Sequence, residues 1–237
     1  AQAPILESIS IEQGLSQGFA PAICSDDDGF LWFGTKNGLN RYDGYGLKVF
    51  KNSPFNPWSL PENEIIDLKA AGDFLFLRTF SKYCLFNHKS HRFVSVPYLE
   101  SGKYEFEALS MEPNSIWGIR RDVATKQIEL LQIQWTYDLM VQLEKGQTPK
   151  ELFDMKYRRT LPPSCSSFAL SSDHKQCWFK ESNQLSVIDL ASGEKRSFVM
   201  PFQNYRDDNS ERLDPKIIPD LRGATWVYWK NQLAHFD

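Results

Sequence analysis

The feature that most limits the fold of this chain is a repeated beat of short apolar runs, each built on one bulky ring. Five segments align: FLWFGT (Phe30–Thr35), FLFLRT (Phe74–Thr79), SIWGIR (Ser115–Arg120), QCWFKE (Gln176–Glu181) and ATWVYW (Ala224–Trp229). Their anchors, Trp32, Phe76, Trp117, Trp178 and Trp226, fall 44, 41, 61 and 48 residues apart. An apolar run precedes each anchor by about ten residues, from Ala20–Cys24 in the first unit to Ile217–Pro219 in the last, and another follows at about the same distance, ending on a polar residue such as Asp43, Asn87 or Asp189. A fourth run closes the first four units: Leu47–Phe50, Phe93–Val96, Leu139–Leu143 and Phe198–Met200. Between the runs stand Asp28-Gly29, Asn37-Gly38, Asp43-Gly44 and Ser192-Gly193, residues that accept the positive φ of tight hairpins.

Four short antiparallel strands repeated every 40–50 residues or so are the signature of β-propeller blades. The expected fold is all-β, with five blade units at 19–51, 63–97, 104–144, 165–201 and 212–237, forming one propeller domain or the N-terminal portion of one. Neighbouring blades pack face to face, so each second strand is expected to be apolar on both faces, and the five anchors are assigned to packing between blades. The long third spacing is assigned to an insertion, Lys145–Ser164, which is polar and carries prolines. No helix of any length is expected; Lys126–Trp135, the nearest candidate, is rich in β-branched and aromatic residues and reads as a strand. Residues 5–12 read as a candidate closing strand that would complete the blade begun at Arg212 and hide an edge. The alternatives are a closed five-bladed ring and a piece of a larger one.

With 41% hydrophobic and 14% aromatic residues the chain can bury a large, ring-rich core, and a net charge of −3 gives no basic footprint for nucleic acid. The longest apolar patches, such as Phe74–Leu77, are strand-sized and too short to span a bilayer. The start Ala1-Gln2-Ala3-Pro4 fits either a mature end after signal-peptide removal or an arbitrary boundary. Cys24, Cys84, Cys165 and Cys177 form no C-x-x-C, and most sit in strand-like runs, where a thiol serves as a small hydrophobe; Cys165 with Cys177 is the one pairing worth testing as a disulfide.

The first unit also carries a specific motif. Gly14-Leu15-Ser16, then Asp28-Gly29-Phe30-Leu31-Trp32-Phe33-Gly34-Thr35, then Gly38-Leu39-Asn40-Arg41-Tyr42-Asp43-Gly44 resembles the two-component regulator propeller repeat. The following Asn56-Pro57-Trp58-Ser59-Leu60 resembles the N-P-x-S-L segment that often leads into that family's second repeat. The match is strong over residues 5–68; the second unit keeps Thr79 but has Phe76 for Trp, and later units keep mainly the anchor. The resemblance implies the extracytoplasmic, periplasmic sensor of a hybrid two-component receptor, normally seven-bladed, often with two propellers in tandem, which favours part of a larger ring over a closed five-bladed one. It further implies a β-sandwich connector, one membrane helix, a histidine kinase, a receiver and a helix-turn-helix output, acting as a homodimer that responds to oligosaccharides and regulates transcription. This chain holds no kinase histidine box and no receiver aspartate cluster.

Chemistry-bearing motifs are few. Asp26-Asp27-Asp28-Gly29 lacks the Glu of an EF-hand loop and runs straight into a strand, so a surface hairpin is expected. His88-x-x-His91 has no further ligands nearby in sequence and is expected in a solvated turn. No nucleophile elbow, paired catalytic carboxylates or phosphate loop is present, and no enzymatic activity, cofactor or metal is expected. Binding is the better reading. The loops Lys51–Glu64, Pro97–Lys103, Lys145–Ser164 and Pro201–Asp214, with the second-to-third-strand connections, would open on one propeller face. They supply the candidate ligand-binding residues Trp58, Arg120, Arg121, Tyr157, Arg158, Tyr205 and Arg206: rings and planar donors of the kind that hold a sugar by its apolar face and its hydroxyl rim. The competing reading is a protein–protein scaffold with no small ligand.

Overall fold

The computed structural model describes residues 8–99, 102–200, 215–220, 224–229 and 232–236. They form four four-stranded antiparallel sheets and one of three strands. The first sheet holds β1 (Ala22–Ser25), β2 (Leu31–Thr35), β3 (Gly38–Tyr42) and β4 (Leu47–Phe50); the second holds β5 (Ile65–Ala71), β6 (Phe74–Thr79), β7 (Tyr83–Asn87) and β8 (Arg92–Ser95). The third has β9 (Tyr104–Glu112), β10 (Ser115–Asp122), β11 (Ile128–Trp135) and β12 (Phe153–Leu161). The fourth has β13 (Cys165–Leu170), β14 (Gln176–Glu181), β15 (Gln184–Asp189) and β16 (Lys195–Val199), and the fifth β17 (Lys216–Pro219), β18 (Thr225–Trp229) and β19 (Gln232–Phe236). Each sheet pairs its strands in sequence order, the meander that defines a propeller blade. Two compact units are present: the first two sheets with most of the third, and the fourth with the fifth.

Within the first unit β1 lies beside β5 and β5 beside β9, so the first strands of successive blades are neighbours; β13 and β17 do the same in the second unit. The second sheet shows what this packing demands of a sequence. Side chains alternate between faces along a strand. On β6, Leu75 and Leu77 enter a core with Trp32 and Leu39 of the first blade, Leu60 of the loop that follows it, and Ile65 of β5. Phe74 and Phe76 enter a second core with Phe106, Ile116 and Trp135 of the third blade. Both faces are therefore buried, at about 1.5–3 kcal/mol for each large apolar side chain removed from water. The close approach also fixes Gly34, where a Cβ would stand 2.5 Å from Ile65 Cγ2.

The turns repeat as well. Asp43 Oδ1 accepts from the backbone N–H groups of Tyr45 and Gly46, Asn87 Oδ1 from Ser90, and Asp189 Oδ1 from Ala191 and Ser192. In the first, second and fourth blades the polar residue at the end of the third strand thus folds the hairpin that follows it.

Several expectations need correction. Among the described residues there are two α-helices: α1 (Leu139–Glu144) and α2 (Pro149–Leu152). Leu139–Leu143, expected as the fourth strand of the third blade, is α1; Leu139 and Leu143, four residues apart, are its buried face. The fourth strand is instead β12, inside the stretch 145–164 assigned to an insertion, and the extra chain lies between third and fourth strands. Asp154, Lys156, Arg158 and Thr160 are the exposed beats of β12, and the Arg at 159 on an inward beat disguised the alternation. Trp226 is the one anchor out of place: it is 39% exposed, while Val227 is fully buried with Trp178, Leu185 and Val187. A shift of one residue along a strand exchanges faces. The candidate closing strand falls partly on residues 5–7, outside the described set; Ile11–Gln13 form a single 3-10 turn capped by Ser10. All four cysteines are free thiols, with Cys165 opposite Glu181 and Cys177 opposite Leu170.

Candidate ligand-binding site

The first unit has a cleft of about 520 Å³. One wall is the β4–β5 loop, and the loop is braced by its own sequence. Asn56 Oδ1 accepts from Trp58 N at 3.0 Å, and Ser59 Oγ accepts from Ser53 N at 3.0 Å. Asn52 Nδ2 donates to the carbonyls of Leu60 (2.7 Å) and Pro61 (3.2 Å), and the fully buried Leu60 pins the loop to the core. The Asn-Pro-Trp-Ser-Leu segment is thus a preformed turn that presents Trp58. The opposite wall is the helical insertion. Gly146, at φ +90°, follows α1, and α2 begins with Thr148-Pro149-Lys150-Glu151, in which Thr148 donates from both N (2.7 Å) and Oγ1 (2.9 Å) to Glu151 Oε2. These bonds hold the Glu151 carboxyl below its usual range. Arg92 joins the two walls: its guanidinium lies 5.0 Å from the Trp58 ring centroid and pairs with Glu144 of α1.

Between the walls the lining combines Trp58, Phe93 and Leu143 with Asn52, Asn56, Ser59, Gln147, Thr148 and Lys82. An adjoining hollow of about 510 Å³ shares Lys82 and Ser95 and adds Tyr83, Tyr98 and Lys150. Pockets of 300–1,000 Å³ or so hold small molecules. The cleft and hollow offer an apolar floor, amide and hydroxyl groups, and two lysines, with no carboxylate among the described lining residues.

The expected site residues divide. Trp58 lines the cleft. Arg120 is buried; its Nη1 donates to Tyr98 O at 2.9 Å and its guanidinium stacks 4.3 Å from the Tyr104 ring, so it builds the wall behind Tyr98. Arg121 is half-exposed on β10, 3.7 Å from Glu105. Tyr157 packs on Trp117 at 5.3 Å between ring centroids, and Arg158 occupies an exposed beat of β12; neither lines the cleft. Tyr205 and Arg206 lie outside the described residues. Lys82, Gln147 and Thr148 were missed, although Lys82 sits in a second-to-third-strand connection and Thr148 opens a capping box readable in sequence.

The motif of the first blade is spent on structure. Asn40 Oδ1 accepts from Ser16 N at 2.9 Å, Asn40 Nδ2 donates to Ser16 Oγ at 2.8 Å, and Ser16 Oγ meets Thr35 Oγ1 at 2.8 Å, a buried network tying the entering chain to β2 and β3. Asp26 Oδ1 accepts from Phe30 N at 2.9 Å and Asp28 N at 3.1 Å, and its Oδ2 accepts from Trp32 Nε1 at 2.8 Å. His88, expected in a solvated turn, is buried beside Asp26, whereas His91 is exposed.

A succession of meander blades with rings packed between them defines a β-propeller fold, and the family profile "Two component regulator propeller" matches residues 14–37. Over 56 residues, 24% of this chain and 4% of the relative's, the sequence is 38% identical to histidine kinase P4 of Formosa agariphila. Two solved structures from B. thetaiotaomicron share the fold: the extracellular domain assigned to the hybrid two-component system BT3049 (TM-score 0.58, 19% identity) and that assigned to BT4673 (TM-score 0.60, 14% identity). They align with 98% and 99% of this chain, which spans 30% and 32% of theirs. Among the described residues no helix is long and apolar enough to cross a membrane.

Proposed function

We propose that this chain is part of the extracytoplasmic, periplasmic ligand-sensing propeller of a hybrid two-component receptor, and that its cleft takes an oligosaccharide. In the intact receptor the bound state would alter the association of two chains and pass through a downstream membrane helix to a histidine kinase that controls transcription; the propeller itself carries out no chemistry. The family repeat and the fold shared with extracellular domains of such systems support the sensor reading. The observation that carries the ligand reading is the braced loop that holds Trp58 among amide and hydroxyl groups, because a sugar offers one apolar face and a rim of hydroxyls.

The test is a melting-temperature screen against neutral and acidic oligosaccharides. A ligand that binds only the folded state raises the melting temperature. Gln147→Ala and Lys82→Ala, both exposed and outside the core, should each weaken the hit by about tenfold, the equivalent of ~1.4 kcal/mol for a lost hydrogen bond. No shift across the panel, or a shift that survives both substitutions, overturns the assignment.

A further inference from the structure

The first two blades meet at a second cluster that shares no residue with the cleft. The β1–β2 turn of the first blade docks on two turns of the next. Asp27 Oδ2 accepts from Gly72 N at 2.9 Å, and Asp26 and Asp28 converge on His88. The His88 side chain is 3% exposed. Its Nε2 lies 3.2 Å from Gly72 O, a carbonyl that can only accept, so Nε2 carries a proton. In the neutral ring Nδ1 is then a bare acceptor. It points at two more acceptors, Asp28 Oδ2 at 3.7 Å and Asp26 Oδ2 at 3.9 Å, both beyond hydrogen-bond distance. Two of the three groups are already oriented: Asp26 by two backbone N–H groups and the Trp32 indole, and His88 by Gly72 O, with Asp73 Oδ1 3.9 Å from Nε2. A ring N–H fixed by a carbonyl and a carboxylate fixed by donors are the supports a metal ligand needs.

We propose that Asp26, Asp28 and His88 bind a divalent transition-metal ion that clips the first blade to the second. The three ligand atoms lie within 4.8 Å of one another. A tetrahedral ion with bonds of about 2.0–2.1 Å separates its ligands by roughly 3.3–3.4 Å, so the His88 contacts close by a few tenths of an ångström. Asp28, on the exposed side, closes its own contact, and a tilt of the His88 ring closes the one to Asp26; Asp28 Oδ2 now takes Lys89 Nζ at 2.5 Å, and the ion either replaces that ammonium or uses the other oxygen. One imidazole nitrogen and two carboxylates suit zinc, cobalt or manganese, whereas calcium and magnesium take all-oxygen shells.

The experiment uses the metal-stripped protein with zinc and, separately, cobalt. Zinc should raise the melting temperature saturably at one equivalent, and cobalt should give visible absorption of a low-coordinate site. His88→Gln and Asp28→Asn should each weaken binding by at least about tenfold. Asp28→Asn keeps every bond made by Asp26 and should melt like wild type without metal, which separates lost binding from lost folding. His91→Ala should bind as wild type. Absence of one-equivalent binding, or binding unchanged by His88→Gln, overturns the proposal.

Discussion

Trp32 of the first blade and Trp178 of the fourth hold the same place in their sheets, and both are fully buried. They differ at one atom. The Trp32 indole N–H donates to Asp26, whereas the Trp178 indole N–H has no protein partner among the described residues. The cause is upstream. In the first blade the turn closes from Asp26 N to Phe30 O, and the Asp side chain reaches back over it to the indole. In the fourth blade the corresponding bond runs from Ser171 N to Gln176 O, one residue longer, with Ser in place of Asp. The shorter Ser171 side chain is occupied by Asp173 and by Gln176 N. The comparison teaches that the aromatic anchor and the acidic turn are separable: the ring fills the wedge in both blades, but only the first blade also satisfies its polar edge.

The largest effect should come from removing that link. Asp26→Ala deletes three hydrogen bonds to a buried carboxylate and should cost about 3 kcal/mol or more, measured by urea unfolding in chelator. Ser171→Ala in the fourth blade should cost only about 1 kcal/mol. Equal losses would mean that the acidic turn adds nothing beyond its neutral counterpart. The next contrast is Trp32→Phe against Trp178→Phe. The ring trimmed away is the same, but the first strands Asp26 Oδ2 and the second removes an orphaned donor. Trp32→Phe should be the more destabilising by about 1–2 kcal/mol, and a reversed order would break the comparison.

The strands, turns and anchor of the first blade were legible because they are local in sequence, whereas the burial of Asp26, expected in a surface hairpin, and the Ser16–Asn40 network depend on the fold. The later failures have physical causes. At Leu139–Glu144 a short apolar run serves strand and helix equally, and the Thr148–Glu151 capping box and Gly146 were the signals that distinguish them. At Trp226 the largest side chain was taken for the inward one, but the smaller Val227 fits the space beside Trp178. His88 was judged against its chain neighbours, while its partners, Asp26 and Asp28, lie some sixty residues away. The cleft was half legible: the loop carrying Trp58 has a sequence signature, whereas Lys82 and Gln147 join it only through the fold.

The smallest effect concerns the turns that the blades share. Asp43 and Asp189 fold their hairpins through backbone N–H groups that favour the charged carboxylate, chiefly Gly46 N and Ser192 N, and both are held below the usual carboxylate pKa. A lowered folded-state pKa contributes stability that is present above the unfolded value and lost as pH falls through the folded one. Asn87 makes the same turn in the second blade without titrating. An Asp43→Asn/Asp189→Asn protein should therefore melt close to wild type at neutral pH, because the acceptor oxygen is kept. It should lose less stability than wild type between about pH 5 and pH 3. Identical acid slopes for the two proteins would show that the turn carboxylates titrate alike in the folded and unfolded chain, and that the first and fourth blades differ from the second in residue type alone.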